Sequence, residues 1–140
     1  MSIKSLTDGP DVWPKKPIVE LEPPHVDERG EIIPLVDAPI QSAVMITSKK
    51  GTVRANHYHK TDWHYCYVVS GRIAYYHRPT GTDGEPERVV VEAGQLFFTP
   101  PMDDHAMVFL EDTVFLTLGR NPRDRQSYES DVVRIDPINP

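Results

Sequence analysis

GTVRANHYHKTDWHYCYVVSG, residues Gly51 to Gly71, holds three of the chain's six histidines: His57, His59 and His64. His57 and His59 stand two residues apart, a spacing that turns both imidazoles to one face of a strand. Lys60-Thr61-Asp62 is polar and turn-like, and the stretch from Trp63 to Val69 is rich in aromatic and β-branched residues. The pattern predicts a hairpin of Thr52–His59 and Trp63–Ser70 that returns His64 to the face of His57 and His59. His105 follows a Gly-apolar-Pro segment farther along. Neutral imidazole is the commonest metal ligand, so several converging on one interior point to a metal site in a small β-barrel. Alternation sets Cys66 on the face of His64, open to a role behind the centre or as a redox-sensitive thiol, although a single buried cysteine is more often a small hydrophobe. The same alternation puts His77 on the outer face. His25 is read as a second surface residue.

At 140 residues the chain is one domain, with 39% hydrophobic and 26% charged residues as in ordinary soluble proteins. A net charge of -6 without a basic stripe argues against nucleic acid. No apolar run approaches the roughly 20 residues of a membrane span. Met1–Gly9 lacks the charged and apolar regions of a secretory signal, and the single cysteine has no disulfide partner, so a cytoplasmic location is expected. Fourteen prolines gather near the ends and between apolar runs, marking edges and turns. Short strand-like segments run from Glu31 to Leu118, with a further candidate at Asp131–Ile135, and no long amphipathic helix interrupts them. Eight or more strands at this spacing argue an all-β jelly-roll barrel. Residues 1–24 read as an extended arm with an edge strand near Ile18–Leu21, residues 25–135 as the barrel, and residues 136–140 as a tail. His25–Gly30 reads as a polar turn. A homodimer is expected, held through the arm and an outer aromatic sheet face.

Gly51, His57, His59, position 64 and Gly71 resemble the first cupin motif in spacing, with His64 where glutamate is usual. Gly94, Pro100, His105 and Phe109 resemble the second motif, with Met102 in place of its glycine and Phe109 in place of its asparagine. The resemblance implies the double-stranded β-helix of cupins and one divalent transition metal (iron, nickel, zinc, manganese or copper) on His57, His59, His64 and His105. With no anionic ligand at position 64 the ion would keep its full charge and act as a stronger Lewis acid.

A narrower resemblance covers Asp27-Glu28-Arg29-Gly30, then Val53–Lys60, then Thr113–Tyr128. These segments are similar to the cupin-type sugar-nucleotide 3,5-epimerases and 3,4-ketoisomerases of polysaccharide pathways. That likeness implies a small polar substrate such as a nucleotide-linked sugar. It also implies a general base at His57 or His59, with Arg54 and Lys60 available to phosphate. Two other readings stay open: an Fe(II) cupin dioxygenase, and a barrel that binds metal or a small molecule without turnover. Tyr58, Trp63, Tyr65, Tyr67, Tyr75 and Tyr76 concentrate around the site and suit a sugar ring, sheet packing or a dimer contact equally.

Overall fold

The computed structural model describes residues 5–138. Its strands are β1 (Ile18–Val19), β2 (His25–Asp27), β3 (Gly30–Ile32), β4 (Ser42–Ser48), β5 (Val53–His59) and β6 (His64–Ser70). They continue with β7 (Arg72–Pro79), β8 (Glu87–Glu92), β9 (Leu96–Thr99), β10 (Asp103–Phe109) and β11 (Thr113–Gly119). One short helix, α1 (Arg125–Asp131), precedes β12 (Val132–Arg134). Two five-stranded antiparallel sheets, ordered β1-β9-β6-β11-β4 and β12-β5-β10-β7-β8, face one another. The protein is an all-β jelly roll. No ladder joins the two sheets into a closed barrel among the described residues.

Alternation along these strands builds the core. Cys66 and Val68 from β6, Ile73 and Tyr75 from β7, and Phe97, Phe109 and Phe115 from β9 to β11 pack into one buried cluster between the sheets. Burying an aliphatic side chain of this kind stabilises the fold by about 1.5–3 kcal/mol.

From β4 onward every connection crosses from one sheet to the other, except the β7–β8 hairpin. This corrects the expected histidine hairpin, because β5 pairs with β10 and β12 whereas β6 pairs with β9 and β11. Lys60–Trp63 is a crossover, and His64 faces His59 from the opposite sheet. The outward placing of His77 fails for the same reason, since alternation does not carry through the crossing at Gly71. His77 stands in register with His105 on the inner face, stacked on Tyr75 at 5.2 Å, with its side chain 15% exposed. His25 is exposed, as expected, but the polar turn around it is a two-stranded hairpin of β2 and β3 that joins neither large sheet.

Two backbone features position the site. Gly71 turns at φ +93, and a Cβ there would overlap Thr113 Oγ1 and the Asp112 carbonyl, so the crossing needs glycine on both counts. In β5, Ala55 and Asn56 take positive φ, and the β10 pairing shifts so that His105 opposes His57 while Ala106 opposes Ala55. This bulge re-aims His57 toward the interior. The C-terminal segment satisfies it, as Ile135 N donates to Asn56 O at 3.0 Å and Ile138 N to Asn56 Oδ1 at 3.1 Å.

The N-terminal arm folds back on its own sandwich. β1 pairs with β9, and Asp8 accepts from the indoles of Trp13 and Trp63, from Gly9 N and from Arg120. No helix among the described residues is long and apolar enough to cross a membrane.

Candidate active site

His57 and His59 project from β5, His105 from the adjacent β10 and His64 from the facing β6 into one cavity of about 170 Å³. Ring centroids lie 4.8 Å apart for His57 and His59, 4.7 Å for His57 and His105, and 4.9 Å for His59 and His64. Arg54, Arg123, Tyr128, Cys66 and Thr99 share the lining. All four expected histidines therefore meet in one place, although they come from both sheets. Arg54 is anchored by Ser48 Oγ at 2.6 Å and the Thr47 carbonyl at 3.1 Å. Lys60 is exposed and lines a separate surface depression with Thr61, Asn121 and Asp131.

The four rings are not equivalent. His59 Nδ1 lies 3.2 Å from Asp131 Oδ2 at the end of α1. His105 Nδ1 lies 3.0 Å from the Asp103 carbonyl. Each contact holds the proton on Nδ1 and leaves the Nε2 lone pair for the cavity. His64 Nε2 instead lies 3.1 Å from Asp62 Oδ2.

Burial, then the neighbouring imidazoles of His105, His59 and His64, push the pKa of His57 down to about 2. Burial likewise takes His105 to about 3, and lowers His59 against the pull of Asp62 and Asp131. These rings are neutral at pH 7. Burial opposes ionisation of Asp131, but hydrogen bonds from Thr61 Oγ1, Thr61 N and Asp62 N outweigh it and hold the carboxyl below its usual range. A neutral, correctly protonated imidazole against an ionised carboxylate is a poised proton acceptor.

The ligand nitrogens of His57, His59 and His105 lie within 4.8 Å of one another. Metal-bound imidazoles, at roughly 2.0–2.1 Å from the ion, need their second ring nitrogen held, as Nδ1 is in His59 and His105. Three neutral imidazoles thus fit a divalent transition metal. His64 stands outside this trio, committed to Asp62.

Asp131, Asp62, Tyr128 and Arg123 carry no signal in the spacing of the histidines. Tyr128 sits 5.7 Å from His59, ring to ring, with the Arg123 guanidinium 3.6 Å above its face. Both come from the polar segment after β11.

A family model described as a cupin domain matches residues 44–118. The chain belongs to the cupin family. No functionally curated protein matches it by sequence. Among solved structures it is similar to a dTDP-4-dehydrorhamnose 3,5-epimerase from Sulfolobus tokodaii, with TM-score 0.67 and 18% identity over 86% of this cupin and 83% of that chain. It is also similar to a 3,4-ketoisomerase from Helicobacter canadensis, with TM-score 0.68 and 17% identity over 84% and 89% of the two chains. A third likeness is a point mutant of the 3,4-ketoisomerase QdtA from Thermoanaerobacterium thermosaccharolyticum, in complex with TDP-4-keto-6-deoxyglucose. There the TM-score is 0.68, with 17% identity over 84% and 86%. At these identities the likeness establishes the shared fold. Met102, which replaces the second-motif glycine, sits at φ 56, in the left-handed region that favours glycine.

Proposed function

We propose that this cupin is an isomerase or epimerase of a nucleotide-linked keto sugar, in which His59 takes the proton from a carbon beside the ketone. The observation that carries the reading is the buried His59–Asp131 pair, whose free Nε2 faces the cavity. His57 and His105, also neutral, line the pocket without competing for the proton, while Tyr128 covers it from α1. Arg54 and Arg123 are the cations at this cavity and suit the phosphates of a nucleotide. The similarity in fold to sugar-nucleotide epimerases and ketoisomerases supports the same substrate class.

A second reading rests on the three-histidine trio. His57, His59 and His105 would hold a divalent metal, which would supply Lewis-acid polarisation of a carbonyl or, as Fe(II), oxygen chemistry. His59 cannot hold a metal through Nε2 and abstract a proton through the same atom, so the two readings separate experimentally.

The test incubates chelator-treated protein with TDP-4-keto-6-deoxyglucose in D2O, following deuterium at the carbons beside the ketone and the identity of the sugar. Deuterium enters and a rearranged or inverted sugar accumulates. His59→Asn lowers both by about 100-fold or more, the usual scale for a general base. A wild-type protein that binds the compound yet exchanges no deuterium overturns the proposal. Activity that returns only with added metal, or oxygen uptake with Fe(II), favours the second reading.

A further inference from the structure

Asp131, which holds His59 from behind, is itself held by a run of hydrogen bonds that ends on the N-terminal arm. Its Oδ1 accepts from Thr61 N at 2.8 Å and from Thr61 Oγ1 at 2.7 Å, and its Oδ2 accepts from Asp62 N at 3.1 Å. Asn121, just beyond β11, grips both of those crossover residues. Its side-chain nitrogen donates to Thr61 Oγ1 at 3.0 Å, and its backbone N–H donates to Asp62 Oδ1 at 2.9 Å. Arg120 Nη1 in turn donates to Asn121 Oδ1 at 3.0 Å, and Arg120 Nε donates to Asp8 Oδ2. Asp8 Oδ1 is docked by the indoles of Trp13 and Trp63, each at 2.8 Å.

These bonds run in one direction. Arginine has donors and no acceptor, so it takes the carbonyl end of the Asn121 amide and turns the NH2 toward Thr61. A hydroxyl has a single proton, and one that accepts from Asn121 sends that proton to Asp131. Each link orients the next, from the arm to the carboxylate 3.2 Å behind His59. Asp8, Thr61, Arg120 and Asn121 all stand outside the lining of the histidine cavity, and Thr61 and Asn121 line the outer depression beside Lys60. They reach the site only through Asp131.

We infer that Asn121 is a positioning residue for the His59–Asp131 pair, and that the docked arm sets it through Asp8 and Arg120. The inference rests on the proton-transfer reading above and adds a dependence of the base on a segment that touches no substrate. Misplacing a catalytic group by about 1 Å costs up to about 100-fold. Asn121→Leu leaves the backbone donors of Thr61 and Asp62 on Asp131, so the expected loss is smaller, about tenfold.

The test uses the whole chain, treated with chelator, and TDP-4-keto-6-deoxyglucose in D2O. In Asn121→Leu, kcat for deuterium exchange falls about tenfold, while KM stays within about twofold and the melting temperature within a few degrees. Thr61→Val loses a similar factor, and the double variant is no slower than Thr61→Val alone, because both changes break one path. Asp8→Asn keeps an acceptor for the indoles but turns its amide to Arg120, so the arm stays docked while kcat falls about threefold. Wild-type kcat in Asn121→Leu overturns the proposal, as do losses that multiply in the double variant or a KM that rises alone. The Nδ1 proton of His59 adds a readout free of turnover. Its NMR resonance, identified by its loss in His59→Asn, shifts in Asn121→Leu and in Asp8→Asn. An unmoved resonance in both overturns the proposal, whether or not wild type exchanges deuterium. A wild type without exchange fails the proton-transfer reading alone. Should Asn121→Leu fail to fold, Asp8→Asn decides by the same two readouts.

Discussion

In the unfolded chain His57 and His105 take up protons near pH 6.5, whereas burial in the fold holds them neutral down to about 2 and about 3. The unfolded state therefore binds more protons below pH 6.5, and folding stability falls with pH through that window toward the folded values. Each histidine costs about 2 kcal/mol by pH 5. Asp103 works the other way. Burial, with Asp104 and Glu87 nearby, raises its pKa to about 7, so stability from this group is present below pH 3.8 and lost as pH rises toward 7. The differential is the clean measurement. In metal-free protein, His105→Gln should lose about 2 kcal/mol less than wild type between pH 6.5 and pH 5, read from urea midpoints. Equal slopes would mean that His105 titrates normally in the fold. The spacing of His57, His59, His64 and His105 was legible in the sequence because the cupin motifs are local. Asp131 was not: it reaches His59 across 72 residues, from a polar segment that alternation cannot read. Asp62 was visible only as a turn residue, since nothing local says that a turn crosses between sheets.

At the scale of elements, most strands announced themselves by β-branched and aromatic runs, but their sheet membership did not. Sequence alternation defines the two faces of one strand and stops at a crossing, which is why His77 was placed outside. The crossing at Gly71 gives a direct test. Gly71→Ala forces a Cβ into Thr113 and a positive φ onto alanine, and should cost about 3 kcal/mol or more by denaturant unfolding. A loss below about 1 kcal/mol would mean that the β6–β7 turn relaxes freely. The arm offers a second test. Asp8 accepts from the indole of Trp63, a side chain only 1% exposed, and its pKa is held at about 2, with burial outweighed by Trp13, Arg120, Trp63 and Gly9. Asp8→Ala strands a buried N–H and should cost about 1–3 kcal/mol. It should also open the arm to protease. An unchanged cleavage pattern would show the arm to be held by β1 alone.

For the whole molecule, the unpartnered surfaces include one edge strand and one separate hairpin. Strand β4 ends its sheet with no charge and no proline in Ser42–Ser48, and it exposes Met45 at 59%. Natural edge strands of that length normally carry lysine, proline or a bulge, or pair with another chain. The β2–β3 hairpin, a few residues upstream, joins neither large sheet and exposes Val26 and Ile32, each at 66%. A second copy of the chain is the occupant these surfaces fit, because one two-fold axis can cover an edge strand with its own symmetry mate. The expected homodimer is thus proposed at β4 and the hairpin, with the arm occupied on its own sandwich. Sedimentation at micromolar concentration should give a dimer. Met45→Lys places a charge in the contact and should shift the protein to monomer with its melting temperature changed by only a few degrees. Removing residues 1–17 should lower the melting temperature and leave the dimer intact. A wild-type monomer, or a dimer that falls apart only when the arm is removed, would return the contact to the arm or abolish it.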